Sequence, residues 1–486
     1  MDASIVIISI LLFLSIVGSL ASDKLGVPSL VLFLVIGVLA GPEGFGRIKL
    51  NTPELAKSIG VIALAFIIFS GGLGTQFKTI RPVITEGILL SSLGVIVSCL
   101  LVGAFLYYSL SFPLISALLI GAIVSATDAA SVFSVLSSKN VLLKGNLKPI
   151  LEFESASNDP MSVTLTLALI IFIKNPSIDL AGILAFFVKQ FLLGGALGLL
   201  ISVVSVYLLR RFIRLEYEGV YTVLTVGLVL FTYGLVDTLG GNPFLSVYLL
   251  GLYLGNSDIL YKRNLLRYHD NISWLSQIVM FLCLGLLIYP SQIIPASLKG
   301  ISATLFLIFF ARPASVFLSL AFTKKFSIRE KLLISWVGLR GAAPIILSTF
   351  PLLAGITGSY DMFYIVFFIV IVSVLLQGTT IPFFARILNL YDKGISNIKY
   401  PIEFEKTGNI EGELNEVEVP ENSVIVNEAV MNLALPEKIL IILIYRDGIF
   451  FPVNGKTVIK PKDRLLILAP ISDFITFSQR VLEGSD

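Results

Sequence analysis

Apolar stretches of about twenty residues, the length a helix needs to cross a hydrocarbon core, recur along this chain from its first residues to about residue 390. No other feature constrains the fold as much. Within lipid, backbone N–H and C=O groups must be satisfied inside the segment, so such a chain spans as helices. Thirteen stretches qualify, at roughly 3–21, 28–42, 57–74, 86–110, 113–136, 150–173, 180–209, 219–238, 241–257, 273–290, 299–322, 331–354 and 360–387. Composition agrees. Hydrophobic residues make up 56% and charged residues 14%, against about 25% charged in soluble domains. A soluble enzyme and a disordered chain are excluded. The net charge of +3 is too small to suggest a polyanionic partner, so no nucleic acid is expected. Cys99 and Cys283 both lie in apolar runs and form neither a disulfide framework nor a metal site.

The first stretch could be misread as a signal peptide. It lacks a basic leading region, and Asp23-Lys24 follows it instead of a small-residue cleavage site, so it is kept as a span. Basic residues concentrate in the loops after odd-numbered spans, among them Lys78, Arg81, Lys139, Lys144, Lys148, Arg210, Arg211, Lys262, Arg263, Arg267, Lys324, Lys325 and Arg329. The other loops hold fewer, such as Arg47, Lys49, Lys57, Lys174 and Lys299. Positive loops stay in the cytoplasm, so the amino terminus is expected outside and the carboxyl terminus inside, in the plasma (inner) membrane. His269, the only histidine, is read as a solvated residue of a cytoplasmic loop beside Asp270.

After about Asp392 the composition turns polar. A linker is expected at 391–401, extending to Glu411, before a small α+β domain at 402–486. Leu414 to Val419 and Ile439 to Tyr445 read as strands. Asp447-Gly448 is a hairpin turn, Leu465 to Leu468 a further strand, and helices are expected around Asn427 to Leu433 and from Ser472 onward.

Three clusters place polar residues where the bilayer makes them costly, which marks them as functional. The first is Ser125-Ala126-Thr127-Asp128-Ala129-Ala130-Ser131 in span five. Its side chains compete for backbone hydrogen bonds and can stabilise a local break. The second is Glu154-Ser155-Ala156-Ser157-Asn158-Asp159-Pro160 in span six. Glu154 with Asn158, and Ser155 with Asp159, are helical neighbours, and Pro160 leaves the Ala156 carbonyl without its donor. The third is Gly338-Leu339-Arg340-Gly341-Ala342-Ala343-Pro344 in span twelve. Its arginine needs a partner, and Glu154 is the one assigned. A purely structural ion pair is the plainer alternative for these charges. Arg312-Pro313 in span eleven is a possible second fixed charge; Asp237 and the stretch Asn242 to Asn256 are read as packing or mouth features. Spans five and twelve lie seven apart, so the chain divides into two six-helix repeats about span seven. Paired broken helices of this kind point to a transporter site at the midplane.

One carboxylate can hold a proton or a small cation but not both, and a site of that kind exposed alternately to each side exchanges one for the other. Asp159 is assigned as the titrating ligand, with Asp128, Ser155 and a main-chain oxygen near Thr127 completing the shell. A sugar or nucleotide carrier would need more aromatic and amide groups than these clusters hold. A potassium channel would need a carbonyl filter of the Thr-Val-Gly-Tyr-Gly kind, which is missing from the sequence. An intramembrane enzyme would need a dyad or a metal motif, which one loop histidine does not provide. The chain is therefore read as a secondary active transporter with no cofactor.

With these residues in view, the chain resembles the NhaP-type monovalent cation:proton antiporters. The matching pieces are Thr127-Asp128, Glu154-Ser155, Asn158-Asp159-Pro160 and Arg340-Gly341-Ala342, together with Arg312-Pro313 and Gly241-Asn242 through Gly255-Asn256. The resemblance implies an all-α polytopic membrane protein of thirteen helices in two inverted repeats, with broken helices crossing at the midplane. It also implies a homodimer, an elevator-like movement of a core domain, and electroneutral one-for-one exchange. Asp159, Asp128, Ser155 and Thr127 would bind the cation, with Glu154, Asn158 and Arg340 as a supporting network. One departure is Phe69-Ser70-Gly71-Gly72, where the family usually has an acidic residue in place of Ser70. The tail resembles the carboxyl-terminal lobe of RCK (TrkA-C type) regulatory domains, through Val419-Pro420-Glu421-Asn422-Ser423, Leu435-Pro436, Tyr445-Arg446-Asp447-Gly448 and Pro461-Lys462-Asp463-Arg464-Leu465. That resemblance implies dimerisation, regulation by a small ligand such as the nucleotide cyclic di-AMP, and potassium ahead of sodium as the cation.

Overall fold

Helices take up the apolar stretches, as the lack of water inside a bilayer requires. The structure is a computed structural model and describes residues 2–25, 28–48, 53–139, 141–175, 177–211, 218–393, 412–436 and 438–482. In chain order the helices are α1 (Asp2–Leu25), α2 (Ser29–Ala40), α3 (Pro53–Gly74), α4 (Phe77–Leu110), α5 (Leu114–Ile123) and α6 (Ala129–Ser138). Strand β1 (Val141–Leu143) leads into α7 (Leu147–Lys174), α8 (Leu180–Arg211), α9 (Glu218–Thr238), α10 (Pro243–Gly255) and α11 (Lys262–Leu286). Then come α12 (Pro290–Ser319), α13 (Ile328–Trp336), α14 (Ala342–Leu353), α15 (Ser359–Ile387) and strand β2 (Tyr391–Lys393). Among the described residues, seven helices (α3, α4, α7, α8, α9, α12 and α15) are long and apolar enough to cross a membrane. Several others, including α2, α5, α10 and α14, are shorter but equally apolar.

The breaks fall where the sequence places them. The chain between α5 and α6 is non-helical from Val124 to Asp128, and that between α13 and α14 from Val337 to Gly341. Helix α4 carries a π turn at Leu90–Gly94, and α12 carries one at Leu307–Ala311. A π-turned helix followed by a broken one thus occurs in both halves. Helix α15 carries a third π turn at Val374–Gly378.

Local chemistry sets the helix ends. Asn242 caps α10 ahead of Pro243, and Ser327 with Glu330 forms a capping box on α13. Helices α2 and α11 touch through Gly37 and Gly285, whose backbones approach too closely for any side chain. Small residues at such contacts drive helix association in membranes, where apolar burial gives no advantage over lipid.

Strands β1 and β2 pair antiparallel, Val141 with Lys393 and Leu143 with Tyr391. The segment leaving the last long helix is thereby joined to the turn between α6 and α7.

Two compact units divide the chain, Met1–Ser396 and Asn397–Asp486. The linker expected at 391–401 is not all linker, because Tyr391–Lys393 form β2 paired with β1; the rest of it, through Glu411, lies outside the described residues. The second unit holds a four-stranded antiparallel sheet in the order β3 (Glu413–Glu418), β6 (Arg464–Ala469), β4 (Leu440–Arg446) and β5 (Ile449–Pro452). Asp447 and Gly448, both at positive φ, turn the β4–β5 hairpin as expected. Helix α16 (Ile471–Leu482) covers the sheet through Phe477 and Val481. The helix expected around Asn427 to Leu433 is only a 3-10 turn at Val430–Asn432, because Asn427, Val430 and Met431 give their N–H groups to Ile459, Thr457 and Gly455. Arg446 grips the fully buried Asp463 with two bonds of 2.7 and 2.6 Å, the bidentate geometry that makes such pairs strong. That contact holds Arg446 above the ordinary guanidinium range.

Candidate ion-binding site

Asp128 is the residue on which the first break turns. It caps α6, accepting from the Ser131 N–H at 3.1 Å and the Ser131 hydroxyl at 2.5 Å. Its own N–H donates to Leu339 O at 2.9 Å, so the two broken segments bond directly to each other. The carbonyls of Ser125 and Ala126, in the non-helical segment that follows α5, accept from Arg340 Nη1 at 2.6 and 2.8 Å. A buried guanidinium thus satisfies backbone carbonyls that no continuing helix engages. The Arg340 N–H donates to Ser373 Oγ on α15. Ser373 donates to Gln377, and Gln377 donates to Trp336 O at the end of α13.

Helix α7 holds the extended stretch from the side. Ser155 Oγ donates to Thr127 O at 2.8 Å and accepts from the Ala129 N–H at 2.9 Å. Asn158 Nδ2 donates to Thr127 Oγ1 at 2.5 Å while its Oδ1 accepts from the Thr127 N–H at 3.3 Å. Ser162 closes the lower end with a bond to Ala122 O at 2.5 Å. Despite Pro160, α7 runs unbroken. Asn242, read from the sequence as a packing residue, donates to Pro160 O and Thr164 Oγ1, each at 2.8 Å, and ties α10 to α7 beside Asp159.

The charge pairing differs from expectation. Glu154 pairs with Arg312, Nη1 to Oε1 at 2.5 Å, both side chains being fully buried. It is not the partner of Arg340. Arg312 follows the π turn of α12, where an extra residue re-aims the side chains after it. Arg312 also donates to Ile334 O. Proximity along the sequence pattern could not reveal this, because the π turn shifts the register of α12.

Thr127, Asp128, Ser155 and Asp159 line one cavity of about 290 Å³, together with Gly341 and residues of α3 and α11. Glu154, Asn158, Arg312 and Arg340 stand behind its wall. Asp159 is only 8% exposed, and its Oδ1 has no hydrogen-bond partner among the described residues. Of the carboxylates here, Glu154 is answered by Arg312 and Asp128 by the cap of α6. Asp159 is the buried carboxylate with neither a hydrogen-bonded cap nor an arginine. The arrangement suits one proton or one monovalent cation.

Gly341 sits against Asp128, and a Cβ there would collide with its carboxylate. Gly341→Ala is therefore expected to force the two breaks apart. Exchange activity in vesicles should fall by more than tenfold with the protein still inserted, whereas wild-type rates would show that the contact relaxes without cost.

Two residues were missed or misread. His269 is not a solvated loop residue. Helix α11 begins at Lys262, and His269 is fully buried, its Nε2 2.8 Å from Thr225 Oγ1 and its ring packed by Phe66 and Phe69. The charged first turns of α11 hid it from a hydropathy reading. The same error hid Asp270, which lines the cavity and accepts from Ser70 Oγ at 2.8 Å. The spacing of Asp270, Ser273 and Gln277, one polar stripe of a helix, was the signal available.

Two broken helices joined at their breaks, around a buried carboxylate with no assigned positive partner, define a secondary ion transporter. The comparisons narrow the class. The sodium/hydrogen exchanger transmembrane family matches residues 8–387 and the TrkA-C domain matches residues 414–481. The chain belongs to the sodium/hydrogen exchanger family. It is 37% identical over 474 residues to the K(+)/H(+) antiporter NhaP of Alkalimonas amylolytica, covering 97% of this chain and 82% of that one. It is 35% identical over 466 residues to the K(+)/H(+) antiporter NhaP2 of Shewanella oneidensis, covering 95% and 80%. Its fold is that of the sodium proton antiporter MjNhaP1 of Methanocaldococcus jannaschii, with a TM-score of 0.68 at 24% identity over 78% of this chain and 100% of that one.

Proposed function

We propose that this chain exchanges potassium for protons across the plasma membrane, one for one, through competition at Asp159. The single observation carrying the reading is the buried Asp159 carboxylate, which lines the cavity formed at two joined helix breaks and whose Oδ1 has no hydrogen-bond partner among the described residues. Protonated, Asp159 is neutral. Deprotonated, it adds one negative charge, which a cation can cancel with help from the Thr127 carbonyl, the Ser155 hydroxyl and Asp128. Arg340 and the Glu154–Arg312 pair stay engaged with the scaffold throughout and hold the shell in shape. Because one charge is cancelled by either ligand, each loaded form is electrically equivalent, which supports electroneutral exchange. Potassium is ranked ahead of sodium because of the relatives at 37% and 35% identity.

The walls of the cavity come from two groups of helices. One comprises α6, α7 and α14, and the other α3 and α11. Sliding of one group past the other would present Asp159 to each side in turn. The protein would work as a homodimer with its amino terminus outside. The TrkA-C domain would lie in the cytoplasm and regulate exchange through a small ligand, for which a nucleotide such as cyclic di-AMP is the candidate class.

The test is proton movement in everted vesicles on adding potassium or sodium, for the full chain and for a chain ending after Gly394. A proton response to potassium in both, with altered dependence on conditions in the shortened chain, is the expected result. A response to sodium alone would overturn the cation assignment. Cation flux without proton movement would overturn antiport, and complete loss in a well-inserted shortened chain would make the tail part of the transport machine.

A further inference from the structure

The wall facing Asp159 is not inert. Ser70 on α3 is buried, and its hydroxyl donates to Asp270 Oδ1 on α11 at 2.8 Å. Ser273 and Gln277 follow Asp270 at helical spacing, and all four residues line the cavity that Thr127, Asp128, Ser155 and Asp159 line from the other side. Asp270 is solvent-exposed, whereas Asp159 is buried. Along the cavity, then, a carboxylate open to water precedes one shut away from it. Among the described residues Asp270 has no ion-pair partner, so its charge is not cancelled locally. One hydrogen bond from Ser70 fixes its position and leaves further lone pairs for a ligand. A cavity of about 290 Å³ has room for a cation that keeps several waters, each occupying roughly 30 Å³.

We propose that Asp270, positioned by Ser70, is a second cation station on the wall opposite Asp159, taking a partly hydrated monovalent cation at the cavity mouth before Asp159 takes it dehydrated. The independent sign that a cation completes the site is Asp159, which lines the same cavity, is 8% exposed and has an oxygen without a hydrogen-bond partner among the described residues. The division of labour follows from exposure. A carboxylate in contact with water attracts the ion by field and loses little when the ion moves on. A buried one binds only a nearly bare ion and chooses between it and a proton. The Ser273 hydroxyl and the Gln277 amide oxygen replace shed waters along α11. Asp270 therefore sets how much potassium the exchanger needs, while the exchange itself belongs to Asp159.

This inference rests on the antiport reading, and the experiment separates the two. Exchange is measured in vesicles across a range of potassium concentrations for wild type, Asp270→Asn, and Asp270→Asn combined with Ser70→Asp. In Asp270→Asn the potassium concentration for half-maximal exchange is expected to rise about tenfold, with the maximal rate within about twofold of wild type. Adding Ser70→Asp returns a carboxylate to the same place from α3 and is expected to bring the half-maximal concentration back. Asp270→Asn combined with Ser70→Asn controls for packing and is expected not to. An unchanged half-maximal concentration in Asp270→Asn would overturn the station. So would loss of exchange at every potassium concentration, or recovery with Ser70→Asn as complete as with Ser70→Asp. Wild type failing to couple cation to proton would overturn the antiport reading instead.

Discussion

Asp159→Asn is expected to abolish exchange at every pH and cation concentration, because an amide can neither take up a proton nor supply a negative charge. The variant should insert and fold as well as wild type. Asp159 Oδ1 makes no hydrogen bond among the described residues, so the substitution breaks no scaffold contact. Burying an unpaired carboxylate is costly, so thermal stability should stay level or rise. Together, lost exchange and retained stability distinguish a ligand from a structural residue. Proton movement at the wild-type rate in Asp159→Asn would remove Asp159 from the carrier role. Loss of activity accompanied by unfolding would instead make it part of the scaffold.

Glu154 and Arg312 should behave in the opposite way. Both are fully buried and bonded at 2.5 Å. Removing one partner leaves a buried charge uncompensated, which costs about 3–5 kcal/mol. Glu154→Gln and Arg312→Met are each expected to lower the melting temperature in detergent sharply. The double variant Glu154→Gln/Arg312→Met should recover much of that loss, since it buries no lone charge. A double-mutant cycle read from thermal unfolding measures this directly. Single variants as stable as wild type would show that water reaches the pair and that the site does not depend on it.

Much of this centre was legible because a bilayer penalises polar groups. Asp128, Glu154, Asp159 and Arg340 stand out in the sequence for that reason, and the structure places all of them at or directly behind one cavity. The breaks were legible too, since Ser125 to Asp128 and Gly338 to Gly341 combine helix-competing side chains with glycines. The pairing of charges was not. Arg312 reaches Glu154 because of a π turn at Leu307–Ala311, and no periodicity of four or seven foretells one extra residue. Arg340 instead meets the carbonyls of Ser125 and Ala126, acceptors that exist only because α5 stops there. His269 and Asp270 were placed in a loop because charges at the start of α11 mask a helix whose other face is buried.

The sequence by itself determined that this chain lives in a membrane, that two of its helices are interrupted, and which carboxylates are too costly to be accidental. All three follow from local properties: the length of apolar runs, backbone competition by short polar side chains, and the cost of charge in lipid. Only the tertiary structure decided which positive group answers which negative one, and so that the buried Asp159 has none. It also decided that Ser70 and Asp270, 200 positions apart, meet across one cavity wall. Charges act through space, and helix packing together with a single π turn sets distances that spacing along the chain does not encode.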